Sequence, residues 1–242
     1  TQAPILQRWL SLPNRTRHLP MRFLPLLAVC FAQQLSAQHL THREWLEQSF
    51  RDIRLLPAYG GRDKNAEQRA SDSTFVAQML AQNPDRHLGA EHLLDLGFGL
   101  LREGNMVHAM YRFNQAYLLE PLNPRIRRAY GAFFVALDRS GEAATEYQKG
   151  LELDSANVPL MLNMSSVCLT EYYNHRDTAP DKATQLLNTA TVLLKRAVAL
   201  EPKNAAALFK LSVCHLRKGE CTEARDRYAE ALALDPTGVD QT

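Results

Sequence analysis

The chain copies itself at a fixed interval. Gly97 in "LLDLGFGLL" is followed 34 residues later by Gly131 in "RRAYGAFFV", and 34 further on by Ser165 in "LNMSSVCL". Ser212 in "FKLSVCHL" comes 47 residues after that, one period plus 13 extra residues. A second set keeps the same register. Ala109, Ala143, Ala190 and Ala224 are each followed four residues on by Phe113, Tyr147, Leu194 or Tyr228, and then by Ala116, Gly150, Ala197 or Ala231. The units close on Pro121, Ser155, Pro202 and Pro236, with three of the four closings reading LEP or LDP. Small residues facing each other on paired helices let the backbones approach while Leu96, Leu100 and Phe113 interlock around them. Proline after the second helix cannot continue it. Two helices in each period confine the chain to an all-α repeat array, because one such unit cannot bury its apolar face alone.

These residues, in this spacing, resemble tetratricopeptide repeats. Four units follow, 90–123, 124–157, 158–204 and 205–238, and the third holds an insertion of about "EYYNHRDTAPDKA" (Glu171 to Ala183). That polar stretch with Pro180 predicts an exposed loop or a helix extension. The resemblance implies a right-handed α-solenoid whose concave side is lined by the first helix of each pair. On this sequence that side presents Leu94, Phe98, Leu101 and Arg102, then Arg125, Arg128, Ala132 and Val135. Leu162, Ser166 and Leu169 follow, and finally Phe209, Val213, Leu216 and Arg217.

The function implied is binding of a protein or peptide on this surface. Chaperone-binding members of the family clamp a terminal carboxylate with lysines and asparagines, but the matching positions here include Leu94, Phe98, Arg128 and Pro159, so that clamp is absent. A peptide with apolar anchors and some acidic character suits the surface better, since arginine pairs bidentately with carboxylates. The competing reading is that Leu94 and Phe98 pack under neighbouring helices and that Arg125, Arg127 and Arg128 form a solvated face.

Ahead of the repeats, residues 38–89 predict two further helices. "HREWLEQSFRDIRLL" places Trp45, Leu46, Phe50, Ile53 and Leu56 at helical intervals before "PAYGG" ends it. A second helix, about Lys64 to Gln82, is expected to bury Phe75, Val76, Met79 and Leu80 and to stop before Asn83-Pro84. Residues 1–37 differ in character. Met21-Arg22, the apolar run "FLPLLAVCFA" and Ala37 before Gln38 resemble a bacterial secretory signal peptide, with Met21 a candidate start. Ten apolar residues are too few for a stable transmembrane span. A buried amphipathic helix is the alternative. "LAVC" resembles a lipoprotein box ending at Cys30, although Val29 stands where a small residue is expected.

Catalytic chemistry finds no constellation. Gly97-Phe98-Gly99 lies within a helical repeat, where it cannot cradle a phosphate. His39 with His42, and His87 with His92, lack a partner at a metal-ligand spacing. Beyond the proposed cut, Cys168, Cys214 and Cys221 form no CxxC pair and are expected mostly as small core hydrophobes. His215 takes the place of Leu100 or Phe134 in its unit and is expected to pack. No nucleophile, base and orienting group come together. With 28 Lys and Arg against 26 Asp and Glu, the net charge of +2 makes no case for nucleic acid as the main partner.

The expectation is therefore a non-enzymatic protein-binding scaffold without cofactor or metal. It is exported to the periplasm or outer-membrane face, or is a cytosolic adaptor if the N-terminal segment is not a signal. A structural accessory subunit of an envelope enzyme or secretion complex is the alternative. After Pro236 only "TGVDQT" remains, too short to cap a solenoid, so Leu232 and Leu234 are expected to be partly exposed. Self-association through the last unit, or a natural chain continuing past Thr242, would follow.

Overall fold

A computed structural model describes residues 40–237. The expectations for the segment 1–37, Cys30, His39 and the tail 239–242 lie outside the described residues. Among those described, ten α-helices and two short 3-10 turns make an all-α fold.

The repeats appear as four antiparallel helix pairs: α3 (Arg86–Arg102) with α4 (Met106–Leu119), α5 (Pro124–Ala136) with α6 (Ser140–Leu153), α7 (Val158–His175) with α8 (Pro180–Leu200), and α9 (Ala205–Arg217) with α10 (Cys221–Leu234). Packing is densest within each pair. Second helices lean on the next first helix, α4 on α5, α6 on α7 and α8 on α9. Successive first helices also touch, and no pair of successive second helices makes comparable contact. The stack is thus drawn together on its first-helix side and splayed on the other, which makes the first-helix face the inner one.

Small residues set the spacing inside the pairs. A Cβ on Gly97 would stand 2.4 Å from Phe113 Cε1, and one on Gly131 2.1 Å from Tyr147 Cε1, both clashes with a ring edge. Where the first helix carries serine, the second helix places no buried ring at the equivalent position. Ser165 faces the unit whose second helix supplies Leu194, and its hydroxyl donates to the Leu162 carbonyl at 2.8 Å. In the final unit Ser212 does the same to Phe209 at 2.7 Å, and Tyr228 is 40% exposed. Ala109, Ala116, Ala143, Ala190 and Ala197 are fully buried. A Cβ on Gly150 would stand 2.7 Å from Leu160 Cδ1, at the seam between the second and third units.

The insertion is a helix extension. α7 has 18 residues and α8 has 21, against 13 in α5 and α9 and 14 in α6 and α10. Only the short turn before Pro180 is non-helical, and Pro180 opens α8, where its missing N–H costs nothing.

The N-terminal region departs from expectation. α1 (His42–Arg51) ends before Ile53 because Asp52 caps it and then captures the Arg54 N–H at 3.0 Å, opening a 3-10 turn at Ile53–Leu55. Leu46 and Phe50, expected inside, are 47% and 81% exposed, and the buried side is Trp45 and Ser49, with Leu55 beyond the helix. Trp45 Nε1 donates to the Leu55 carbonyl at 2.9 Å, and its indole meets Phe133 and Phe134 edge-on. "PAYGG" is a left-handed turn, with Ala58 and Tyr59 as well as Gly60 and Gly61 at positive φ. Buried Asn114 on α4 fastens this strap. Its amide donates to the Arg54 and Leu56 carbonyls at 2.7 and 2.9 Å, and its carbonyl accepts from Ala58 N–H at 3.0 Å and Tyr130 Oη at 2.7 Å. α2 (Ala66–Gln82) turns Phe75, Val76, Met79 and Leu80 to one side, all only half-buried.

Candidate partner-binding surface

Each first helix after the first begins on an asparagine one residue before it. Asn123, Asn157 and Asn204 accept from the N–H of Arg125, Leu160 and Ala207 at 2.8, 3.1 and 3.0 Å. Their amides are steered by the acid three residues earlier, Glu120, Asp154 and Glu201. This fixes the rotation of α5, α7 and α9, and with it which side chains reach the inner face.

Most of the expected inner residues stand at its surface. Phe98, Leu101, Arg125, Arg128, Leu162, Ser166, Phe209 and Val213 are half-buried, and Arg102, Val135, Leu216 and Arg217 are exposed. Leu94 and Leu169 are corrections. Leu94 is fully enclosed in the main core, and Leu169 packs with Leu187, Leu211 and Cys214 in the adjoining cluster. A helical period specifies direction, while depth depends on the neighbours that close over a position.

The three neighbouring arginines have three different fates. Arg127 points to its own second helix and reaches Glu146 at 3.1 Å. Arg125 is held by Glu91 and Asp95 on α3. Arg128 makes no hydrogen bond or ion pair with any described residue, and its guanidinium lies over the Phe98 ring, 4.9 Å from the centroid. Burial, and then the charge of Arg125, lower its proton affinity. Arg125 is 5.6 Å from the same ring. On α9, Lys210 is half-buried with no hydrogen bond or ion pair among the described residues, and burial holds its ammonium below the usual lysine range. Arg217 donates to Tyr173 Oη at 2.9 Å and stacks on that ring.

Glu91, Asp95, Tyr173 and Lys210 were not among the residues expected here. Glu91 was legible, since it stands one period before Arg125. Tyr173 was not, because its place depends on the insertion being helical.

The residues weighed for other chemistry have structural surroundings. His215 is buried against Glu220 at the turn into α10. His87 meets Glu120 at 2.9 Å, and His42 stacks on Trp45. Cys168 and Cys214 are buried and Cys221 is exposed, and burial pushes the Cys168 thiol up to about 11. Among the described residues no group of three metal-ligating side chains gathers, and no helix is long and apolar enough to cross a membrane. A cleft of about 490 Å³ between the strap and α2 is lined largely by residues with polar side chains, but Arg54 with Asp52 and Lys64 with Asp72 are already paired inside it.

A family model described as "Tetratricopeptide repeat" matches residues 190–239. Among solved structures the chain is similar to TTC0263, a thermophilic TPR protein in Thermus thermophilus, at 20% identity and a TM-score of 0.53, covering 61% of this chain and 75% of that one. It also matches MamA at 14% identity and a TM-score of 0.46, covering 74% of this chain and 99% of that one. YrrB, a TPR protein with an unusual peptide-binding site, matches at 15% identity and a TM-score of 0.33, covering 67% of this chain and 93% of that one. No curated protein sequence matches. The repeat model on the last unit, with the same helix-pair fold carried through the three before it, gives the chain a tetratricopeptide-repeat fold.

Proposed function

We infer that the protein is a non-catalytic scaffold that holds a segment of a partner protein on its first-helix face. Tetratricopeptide-repeat proteins generally mediate protein–protein interactions. The observation that carries the reading is that apolar and cationic side chains of three units reach the surface on the inner face. Phe98, Arg128, Val135, Phe209 and Leu216 are half-buried or exposed, while the small residues of the same helices are consumed by packing. Apolar and cationic groups gathered on a concave surface suit an extended or helical peptide.

A photo-crosslinking residue at Ala132 or Ser166, on the inner face, is expected to capture the partner in cells. The same residue at Gln148, on α6 and exposed, is expected not to. Capture from Gln148 alone overturns the reading. The location proposed is the bacterial cell envelope, supported by the basic start, short apolar run and small residue before Gln38. Mass spectrometry of the chain from fractionated cells is expected to find an N-terminus at Gln38 in the envelope fraction. An uncleaved chain in the cytosol makes it a cytosolic adaptor instead.

A further inference from the structure

We propose that the groove between α8 and α10, on the second-helix side of the array, docks a segment of a partner protein that carries a basic residue three places before an aromatic one and then a non-helical stretch. The site is separate from the first-helix face and does not depend on it.

The chain already fills one such groove with its own N-terminal region. The strap is fastened to α4 by Asn114, whose amide donates to the Arg54 and Leu56 carbonyls. Trp45 meets Phe133 and Phe134 on α5 edge-on, and Tyr130 on the same helix donates to the Asn114 side chain. At the far side Arg139 chiefly, and then His42, hold the Glu142 carboxyl on α6 below the usual carboxylate range. α1 and the strap therefore run from α4 across α5 toward α6, in the wedge that the splayed second helices leave between the first and second units.

Two units along, the same wedge is open. It forms a groove of about 380 Å³, with Lys195 and Ala199 from α8, Leu211 and His215 from α9 and Glu223 from α10 among its walls. At one constant offset in the sequence, Lys195 takes the place of Asn114, Leu211 of Tyr130, His215 of Phe134 and Glu223 of Glu142. These are the positions that seat α1 and the strap in the first two units.

The exchanged side chains specify the occupant. Lys195 carries only donors, so it can hold two carbonyls as the Asn114 amide does, but it cannot accept an N–H as Asn114 does from Ala58. A non-helical stretch offers such free carbonyls. Leu211 and His215 are smaller than the Tyr130 and Phe134 they replace, which leaves room for a ring over the imidazole. Val192, 58% exposed one turn before Lys195, extends the apolar wall. Glu223 favours a cation where His42 stands, three residues before Trp45. A second copy of this chain is a poorer occupant, because its own α1 and strap are already seated on Phe133 and Asn114.

The test uses the full chain and a dye-labelled synthetic peptide of residues 40–62, which supplies this chemistry as a separate molecule, read by fluorescence anisotropy. The peptide is expected to bind, with Trp45→Ala in the peptide weakening binding at least fivefold and His42→Glu at least threefold. In the protein, Lys195→Glu and Ala199→Arg, both at exposed positions, are each expected to weaken it at least fivefold, and Arg225→Gln on α10 by under twofold. Thermal melts confirm folding of each variant. Should one of the two groove variants fail to fold, the other and the peptide substitutions decide. No binding of the peptide, or equal binding of its Trp45→Ala form, overturns the proposal. So do folded Lys195→Glu and Ala199→Arg both within twofold, since the peptide then only exchanges with the chain's own strap. Concentration-dependent dimers of the unaltered chain that Ala199→Arg abolishes place a second copy in the groove, and that result also overturns the assignment.

Discussion

At the scale of single residues, the fold rests on positions where a methyl group is too much. Gly131 is buried against Tyr147, and a Cβ there would overlap the ring. Tyr147 is nearly fully enclosed and has no room to retreat. Gly131→Ala is therefore expected to destabilise the protein by about 1–3 kcal/mol, the usual cost of overpacking a filled core. Gly141→Ala is the control. Nothing lies within 4 Å of a Cβ at Gly141, early in α6, so gaining alanine's helix preference there is expected to be neutral or stabilising by up to about 1 kcal/mol. Chemical denaturation of the two variants checks both. A Gly131→Ala protein as stable as the original would mean that the helices slide apart easily. These positions were legible because a small residue recurring every 34 leaves a mark independent of its surroundings. The inner-face residues were legible only in part. Register gave Phe98 and Arg128 their direction, but Leu94 is enclosed and Arg125 is neutralised, and both facts depend on neighbours from other helices.

At the scale of elements, the repeats were readable and the strap was not. The pattern Glu or Asp, then two residues, then Asn recurs at Glu120-Asn123, Asp154-Asn157 and Glu201-Asn204, and it announces the start of each following first helix. The hydrophobic spacing of residues 45–56 was equally regular and still misled, because one side chain overrides it. Asp52 takes Arg54 in a two-point pair at 2.8 Å and accepts from Tyr111 Oη at 2.7 Å on α4, tying the end of α1 to the first repeat. The Arg54 guanidinium beside it is the main cause holding the Asp52 carboxyl below the usual carboxylate range. A carboxyl depressed in the folded state contributes stability above its unfolded pKa of about 3.9, and that contribution is lost as pH falls through the folded value. Asp52→Asn is thus expected to be less stable than the original at neutral pH, with the deficit shrinking as pH drops below about 4. Thermal melts across that range read it directly, and a deficit that stays constant with pH would show that the charge on Asp52 contributes nothing.

At the scale of the whole molecule, packing is uneven along the array. One core runs without a break from Trp45 under the strap through Asn114's neighbours Phe113 and Tyr130, joining the N-terminal region to the first three units and touching the fourth at Ala207. Past it the clusters shrink. The seam between the third and fourth units rests mainly on Cys168, Leu187, Leu194, Leu211 and Cys214, and inside the fourth pair the separate cluster is only Leu208 and Ala231, with Val198 and Phe209 against it. α10 buries only Ala224 and Ala231, whereas α4 buries seven residues, from Met106 to Leu119. In an array where each unit is held by its neighbours, local stability follows the apolar surface shared at each seam. Native-state hydrogen exchange of this chain is therefore expected to fall into a gradient. Protection should be greatest in α4 and α5, intermediate in α7 and α8, and least in α10, whose amides should open without the rest. The lengthened α7 and α8 sit where that gradient turns, so they separate a rigid half from a looser one. Uniform protection in the free protein would show that the array behaves as one cooperative block.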